Sequence, residues 1–279
     1  MKLAVFSDVH SNSAALRAVI EHIEAWQPDQ VVVAGDLVNR GPRPLECMRL
    51  VQQKQQEHGW LTLLGNHEEY VINHAGSKEP HNGPGFEIKR GSYWTYRQLG
   101  GDVSALQAMP FKLTLTAPDG SEIRLTHASM RGIREGVYRH TSDRELRELI
   151  GEPLPGLFCV GHTHMPLIRR LDGTLVVNAG AAGMPVDGDP RASYAQITWR
   201  DGQWEAQIIR LDYDRSQAER DFVESGFLEE GGPLALLMLR ELRYARSQLY
   251  QWASRYEAPL LAGKINIEDS VREFISTQH

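Results

Sequence analysis

The stretch VFSDVHSN, Val5 to Asn12, joins two kinds of sequence. Leu3, Ala4, Val5 and Phe6 read as a short buried strand, and Asp8 and His10, both poor strand formers, follow at once. The same break recurs down the chain. Apolar runs at 2–6, 30–34, 60–64, 122–126 and 157–160 are followed in turn by Asp8 and His10, by Gly35-Asp36, by Gly65-Asn66-His67-Glu68, by His127, and by Gly161-His162-Thr163-His164. Each has an ordinary reading alone: an aspartate caps a helix, an asparagine after glycine turns the chain, and one histidine at a strand end is a surface side chain. Together they set metal-ligand residue types after one strand after another. Strand carboxyl ends in an open α/β sheet face one crevice, so the joint pattern predicts a metal centre.

Further strands are expected at 174–177, 194–199 and 204–211. Leu16, Val19, Ile20 and Ile23 repeat at helical spacing with Ser13 as their cap, and 44–53 offers a second helix. The front of the chain therefore alternates strand and helix. The later strands are joined by Asp119-Gly120, Asp172-Gly173 and Asp201-Gly202 turns and are expected to pair antiparallel. This predicts an α/β fold built as a layered sandwich rather than a simple doubly wound sheet. Residues 77–91 read as a loop, either a substrate lid or a surface connection, before a helix carrying Tyr93, Trp94 and Tyr96. Residues 234–256 read as helix, within a helical C-terminal extension, 212–279, packed on the domain at 1–211 or forming a homodimer contact.

The chain of 279 residues is 41% hydrophobic, enough for a sizeable core. Its net charge of −6, from 30 basic and 36 acidic residues, argues against a general electrostatic grip on nucleic acid or on an anionic membrane. Cys47 and Cys159 are too few for a disulfide framework or a thiolate metal site, and the apolar start is too short for a signal peptide. A cytoplasmic location is expected.

The blocks DVH (8–10), GDLVNRG (35–41), GNHE (65–68), THAS (126–129) and GHTH (161–164), in this order, resemble the calcineurin-like metallophosphoesterases, small prokaryotic phosphodiesterases among them. The segment 176–195 is similar to the stretch just after the last histidine block in those enzymes. The resemblance covers about residues 1–211 and implies that family's α/β/β/α sandwich. It also implies two divalent ions, one held by Asp8, His10, Asp36 and His164 and the other by Asn66, His127, His162 and the shared Asp36. Nitrogen and oxygen ligands without thiolate suit manganese, which the resemblance favours, with iron, zinc and nickel as alternatives. Two such ions outweigh the two carboxylates and a hydroxide, so the crevice attracts anionic phosphoesters.

The implied activity is phosphodiester hydrolysis of a small nucleotide-like substrate by a metal-bound hydroxide, with His67 as the acid for the leaving oxygen. Arg40 resembles the phosphate-contacting arginine of the related protein phosphatases, whose block reads GDxVDRG. Asn39 stands where those carry an aspartate, and an amide brings no charge. Phosphomonoesterase, serine/threonine protein phosphatase and diadenosine-polyphosphate hydrolase are the enzymatic alternatives. An inactive scaffold of the same fold is the non-enzymatic one, and intact ligand positions argue against it.

Overall fold

The first strand, β1 (Lys2–Phe6), is buried on both faces beyond Lys2, which explains its unbroken apolar run. In the computed structural model, which describes residues 1–277, Leu3 and Val5 enter one core while Ala4 and Phe6 enter another. Helix α1 (Ser13–Trp26) returns the chain to β2 (Gln30–Val33), and α2 (Pro44–His58) to β3 (Leu61–Thr62), giving three parallel strands. Asn12, not Ser13, caps α1. Its Oδ1 accepts the Ala15 N–H at 3.1 Å while its Nδ2 donates to the Gly183 carbonyl at 2.8 Å, so one side chain starts a helix and ties down a distant loop.

Three helices follow, α3 (Asn66–Ile72), α4 (Pro84–Gln98) and α5 (Ser104–Gln107), and then the hairpin of β4 (Lys112–Thr116) and β5 (Glu122–Thr126). After α6 (Asp143–Ile150) come β6 (Leu157–Val160), β7 (Leu167–Leu171), β8 (Thr174–Asn178), β9 (Ala192–Arg200) and β10 (Gln203–Leu211). One sheet has the order β10-β9-β1-β2-β3 and the other β4-β5-β6-β8-β7. Leu3, Val5 and Val32 of the first meet Leu125, Cys159 and Val177 of the second in the core between the sheets. The outer face of the first sheet is covered by α1 and α2, and that of the second by α6, whose Leu146, Leu149 and Ile150 pack on Phe158 and Val176. The fold is the expected four-layered α/β/β/α sandwich.

Antiparallel pairing of the later strands is only partly correct. Each Asp-Gly turn does close a hairpin, and Asp172-Gly173 and Asp201-Gly202 do so with both residues at positive φ. Yet β5, β6 and β8 run parallel to one another, because α6 carries the chain back between β5 and β6 and hairpin strand β7 precedes β8. The expected loop at 77–91 ends at Gly83, where Pro84 occupies the first turn of α4. The aromatic helix faces a core: Trp94 is buried, its ring 4.7 Å from that of Phe227.

The C-terminal residues form α7 (Arg215–Glu224), α8 (Phe227–Glu230), α9 (Leu234–Tyr244), α10 (Leu249–Leu261) and α11 (Ile267–Ser276). The single helix expected at 234–256 is broken at Ala245, whose left-handed backbone (φ 49°) turns α9 into α10. These helices share a core with Trp94 and, at its margin, Ala14 of α1. No helix among the described residues is long and apolar enough to cross a membrane. Phe227 lies between Trp94 and Phe222, fully buried. Phe227→Ala is expected to destabilise the fold by about 3–5 kcal/mol, read as a lower urea midpoint.

Candidate metal centre

The polar blocks converge because β1, β2, β3, β5 and β6 all release the chain at one edge of the sandwich. The backbone there is unusual. Asp8, His10, Asp36, Asn39, Arg40, His162 and His164 all have positive φ, between 49° and 70°, a region that side-chain-bearing residues rarely occupy. Such conformations cost on the order of 1–3 kcal/mol each and persist only where the surroundings over-determine them. Here they do. Asp8, His10 and Ser11 N–H donate to the carbonyls of Gly35, Asp36 and Leu37, while the Asp8 carbonyl accepts from Gly183 N–H.

Glu68 fixes the rest. Its buried carboxylate accepts backbone N–H bonds from Asp36 (2.8 Å), Gly65 (2.9 Å) and Val38 (3.0 Å), pinning the loops after β2 and β3 to each other. The sequence places Glu68 in the GNHE block beside His67 without showing that it accepts these backbone N–H groups. Burial and the neighbouring Asp36 charge push it up to about 7, against the pull of those N–H groups.

Asp36 stands at the centre of the cluster. Oδ1 accepts the His67 N–H at 2.9 Å, while Oδ2 faces His127 Nε2 at 3.3 Å and His10 Nε2 at 3.8 Å. On one side, ligand atoms of Asp8, His10, Asp36 and His164 lie within 4.8 Å of one another, and on the other those of Asp36, His127 and His162 do. Asn66 Oδ1 completes the second group, 3.0 Å from His127 Nε2 and 2.9 Å from His162 Nδ1. All seven residues predicted as ligands are thus brought together.

The inward atoms fit a cation. His127 Nδ1 and His164 Nδ1 donate to the carbonyls of Ala34 (2.8 Å) and Met184 (2.6 Å), and His162 Nε2 to that of Arg134 (2.9 Å). Each bond fixes a tautomer whose other nitrogen turns a lone pair inward. His10 Nε2 and His164 Nε2 lie only 3.1 Å apart, and Asp8 Oδ1 faces His164 Nε2 at 3.2 Å. Ring nitrogens and carboxylate oxygens crowded round one buried point are a donor set suited to a divalent cation.

The electrostatics agree. Burial alone would raise the Asp36 carboxyl, but His127 and His67 outweigh it and hold Asp36 well below the usual carboxylate range. Burial pushes the His127 imidazole down, yet Asp36 and Asp8 hold it up to about 10. A proton there stands in for a missing cation.

His67 lies at the rim, its Nδ1 3.0 Å from Asn39 Nδ2 and its ring 4.8 Å from that of His10. Arg40 is turned toward the helical extension, where its Nη2 donates to Glu241. Beyond His67 the rim continues with Tyr70, whose ring carries the Arg134 guanidinium at 5.2 Å.

Residues 1–202 match the calcineurin-like phosphoesterase superfamily domain. The chain belongs to that superfamily of metal-dependent phosphoester hydrolases. An uncharacterised protein of Methanocaldococcus jannaschii is 24% identical to it over 239 residues, 80% of this chain and 92% of the relative. The crystal structure of a metallophosphoesterase from Sphaerobacter thermophilus superposes with a TM-score of 0.69 at 29% identity, over 88% of this chain and 99% of its own. A symmetrical bis(5'-nucleosyl)-tetraphosphatase of Nitrosococcus oceani is 43% identical over 54 residues, 19% of each chain.

Because the metal-free protein keeps the His127 proton up to about pH 10, ion binding below that pH must expel it. Manganese affinity should therefore climb with pH through the neutral range and level off near pH 10. Calorimetry at pH 7.5 in buffers of differing ionisation enthalpy should show about one proton released on loading. A pH-independent affinity would mean that His127 does not bind the ion.

Proposed function

We propose that the protein hydrolyses phosphodiesters of nucleotide type at a two-ion centre, with manganese as the preferred metal. Asp8, His10, Asp36 and His164 would hold one ion, and Asp36, Asn66, His127 and His162 the other. The observation that carries this reading is Asp36 Oδ2, set between His10 Nε2 on one side and His127 Nε2 on the other, with His127 and His164 oriented by carbonyls on their outer nitrogens. When bound, the ions supply Lewis acidity and an activated water at neutral pH.

The chain's own residues orient the ester and handle the leaving oxygen. Asn39 Oδ1 accepts the Arg40 N–H at 2.8 Å, which turns its Nδ2 toward His67 Nδ1. The amide donates to Nδ1, so a neutral His67 carries its hydrogen on Nε2, from which it can hydrogen-bond the departing oxygen; full proton transfer would need the imidazolium. Burial, opposed by Asp36 and aided by Arg40, holds His67 down to about 3, which keeps it neutral at working pH in the ion-free protein. Asn39 thus does for the tautomer what the aspartate of the related phosphatases would do for charge. Arg40 is assigned to the phosphoryl oxygens, its Nε buried without an acceptor among the described residues. With one edge of its guanidinium engaged by Glu241, it is better matched to a singly charged diester than to a doubly charged monoester.

A second reading, hydrolysis of dinucleoside polyphosphates, draws on the short likeness to the symmetrical bis(5'-nucleosyl)-tetraphosphatase. A manganese-supplemented panel of cyclic nucleotides, dinucleoside polyphosphates and phosphopeptides separates the two.

Chelation should abolish turnover, and Asp36→Asn should lower the occupancy of both ions by elemental analysis. Full activity in a demonstrably metal-free preparation would sink the reading. kcat/KM is expected to be higher on bis-p-nitrophenyl phosphate than on p-nitrophenyl phosphate once each is scaled to its uncatalysed rate. His67→Ala should lose about 10²–10⁴-fold on a nucleotide diester and distinctly less on the p-nitrophenyl ester, with metal content unchanged. Equal losses on both esters would instead make His67 a phosphate clamp.

A further inference from the structure

Glu241 is a fully buried carboxylate in α9, the helix that also buries Leu237, Leu239 and Leu242, and an ionised group is tolerated there only if paired on both oxygens. Its Oε1 accepts the N–H groups of Gln248 (2.7 Å) and Leu249 (2.9 Å), the start of α10. A residue needed only to organise the extension would require nothing more. Its Oε2, however, accepts from Nη2 of Arg40, which lies 201 residues earlier, in the loop after β2.

Arg40 is held at the other end as well. Its backbone is left-handed (φ 63°), its N–H is bonded to Asn39, and its side chain is only 12% exposed. Its neighbour Asn39 hydrogen-bonds His67 at 3.0 Å, which sets this loop at the rim of the metal centre. Its Nε is buried with no acceptor among the described residues. A buried N–H with no acceptor costs free energy unless a ligand supplies one, and a phosphoryl oxygen does so. The turn that follows α9 is anchored to the domain too: the Ala245 carbonyl accepts the Gly188 N–H at 2.9 Å, and Asp187 pairs with Arg246 in an isolated antiparallel β-bridge. This joins the α9–α10 turn to the loop that comes after the last histidine block.

We infer that Glu241 is a positioning residue for phosphoester binding: it acts through Arg40, fixing the guanidinium beside the metal centre, and so makes the helical extension part of the substrate site. The inference rests on the phosphoester reading of Arg40, and its test reads binding separately from turnover.

The test uses the full chain loaded with manganese and titrates inorganic phosphate calorimetrically into wild type, Arg40→Ala, Glu241→Gln and the double variant. Each single change is expected to weaken phosphate binding by about tenfold, the scale of one charge-assisted hydrogen bond. The double variant should be no weaker than Arg40→Ala alone, since both act through one guanidinium. On bis-p-nitrophenyl phosphate, Glu241→Gln should raise KM by a similar factor and leave kcat within about twofold, a split that general loosening of the fold would not produce. Unchanged phosphate affinity in Glu241→Gln, or independent effects that multiply in the double variant, would overturn the inference. Should Glu241→Gln fail to fold, the wild type decides. Its Arg40 Nε–H is expected as a resolved, slowly exchanging ¹⁵N-coupled signal in chelated protein that shifts on loading with diamagnetic zinc and phosphate. A signal averaged with the exposed arginines would count against a fixed guanidinium. Absence of turnover on every phosphoester, with these binding results intact, would refute the proposed function and leave the positioning role standing.

Discussion

The metal centre hangs from a carboxylate that is not among its ligands. Glu68 gathers the N–H groups of Asp36, Val38 and Gly65 onto two oxygens, and without it the loops after β2 and β3 would have three buried donors and no acceptor. Once those loops are joined, Asp36 can face both groups of histidines and the His67 N–H can reach its Oδ1. Gly65 has to be glycine for the same reason: a Cβ there would overlap Asp36 Oδ1 and its backbone nitrogen. The geometry of the site is set by backbone contacts, and the ligands follow.

A second constraint acts from outside the sandwich. The helical extension has a core of its own, yet it shares Trp94 with α4 and sends Glu241 to Arg40. Arg43, just past the GDLVNRG block, repeats the pattern with Asp221 of α7 at 2.7 Å. Two arginines from one loop therefore end on acidic residues of the extension. The loop that carries Asp36 is bounded by Glu68 on the inside and by these ion pairs on the outside.

The residues that converge at the candidate site were legible in the sequence because each lies directly after a strand, and parallel strands deliver their ends to one edge. The sandwich was legible for a related reason: β1 and β6 are apolar without alternation, which requires cover on both faces. Edge strand β4, KLTLT, alternates polar and apolar residues with its polar face in water and left a weaker signal. α6 spans only Asp143–Ile150, about two turns, so its helical spacing of Leu146, Leu149 and Ile150 behind the Ser142 cap is a short signal. The roles of Glu68 and Glu241 were not legible, since both depend on partners brought near by the fold. Nothing in the letters GNHE or RELR says which backbone or guanidinium a glutamate will meet. Asn12 was misassigned because a capping residue and its serine neighbour look alike locally, and only the distant Gly183 carbonyl separates them.

The left-handed backbone at Asp8, His10, Asp36, His162 and His164 has an evolutionary corollary. At each of these positions glycine would adopt the observed conformation without strain, so each polar side chain carries a local backbone cost that glycine would not. A descendant released from selection for chemistry could drift toward glycine or asparagine at these sites and gain stability while keeping the sandwich. Decay of function and hardening of the scaffold would then proceed together.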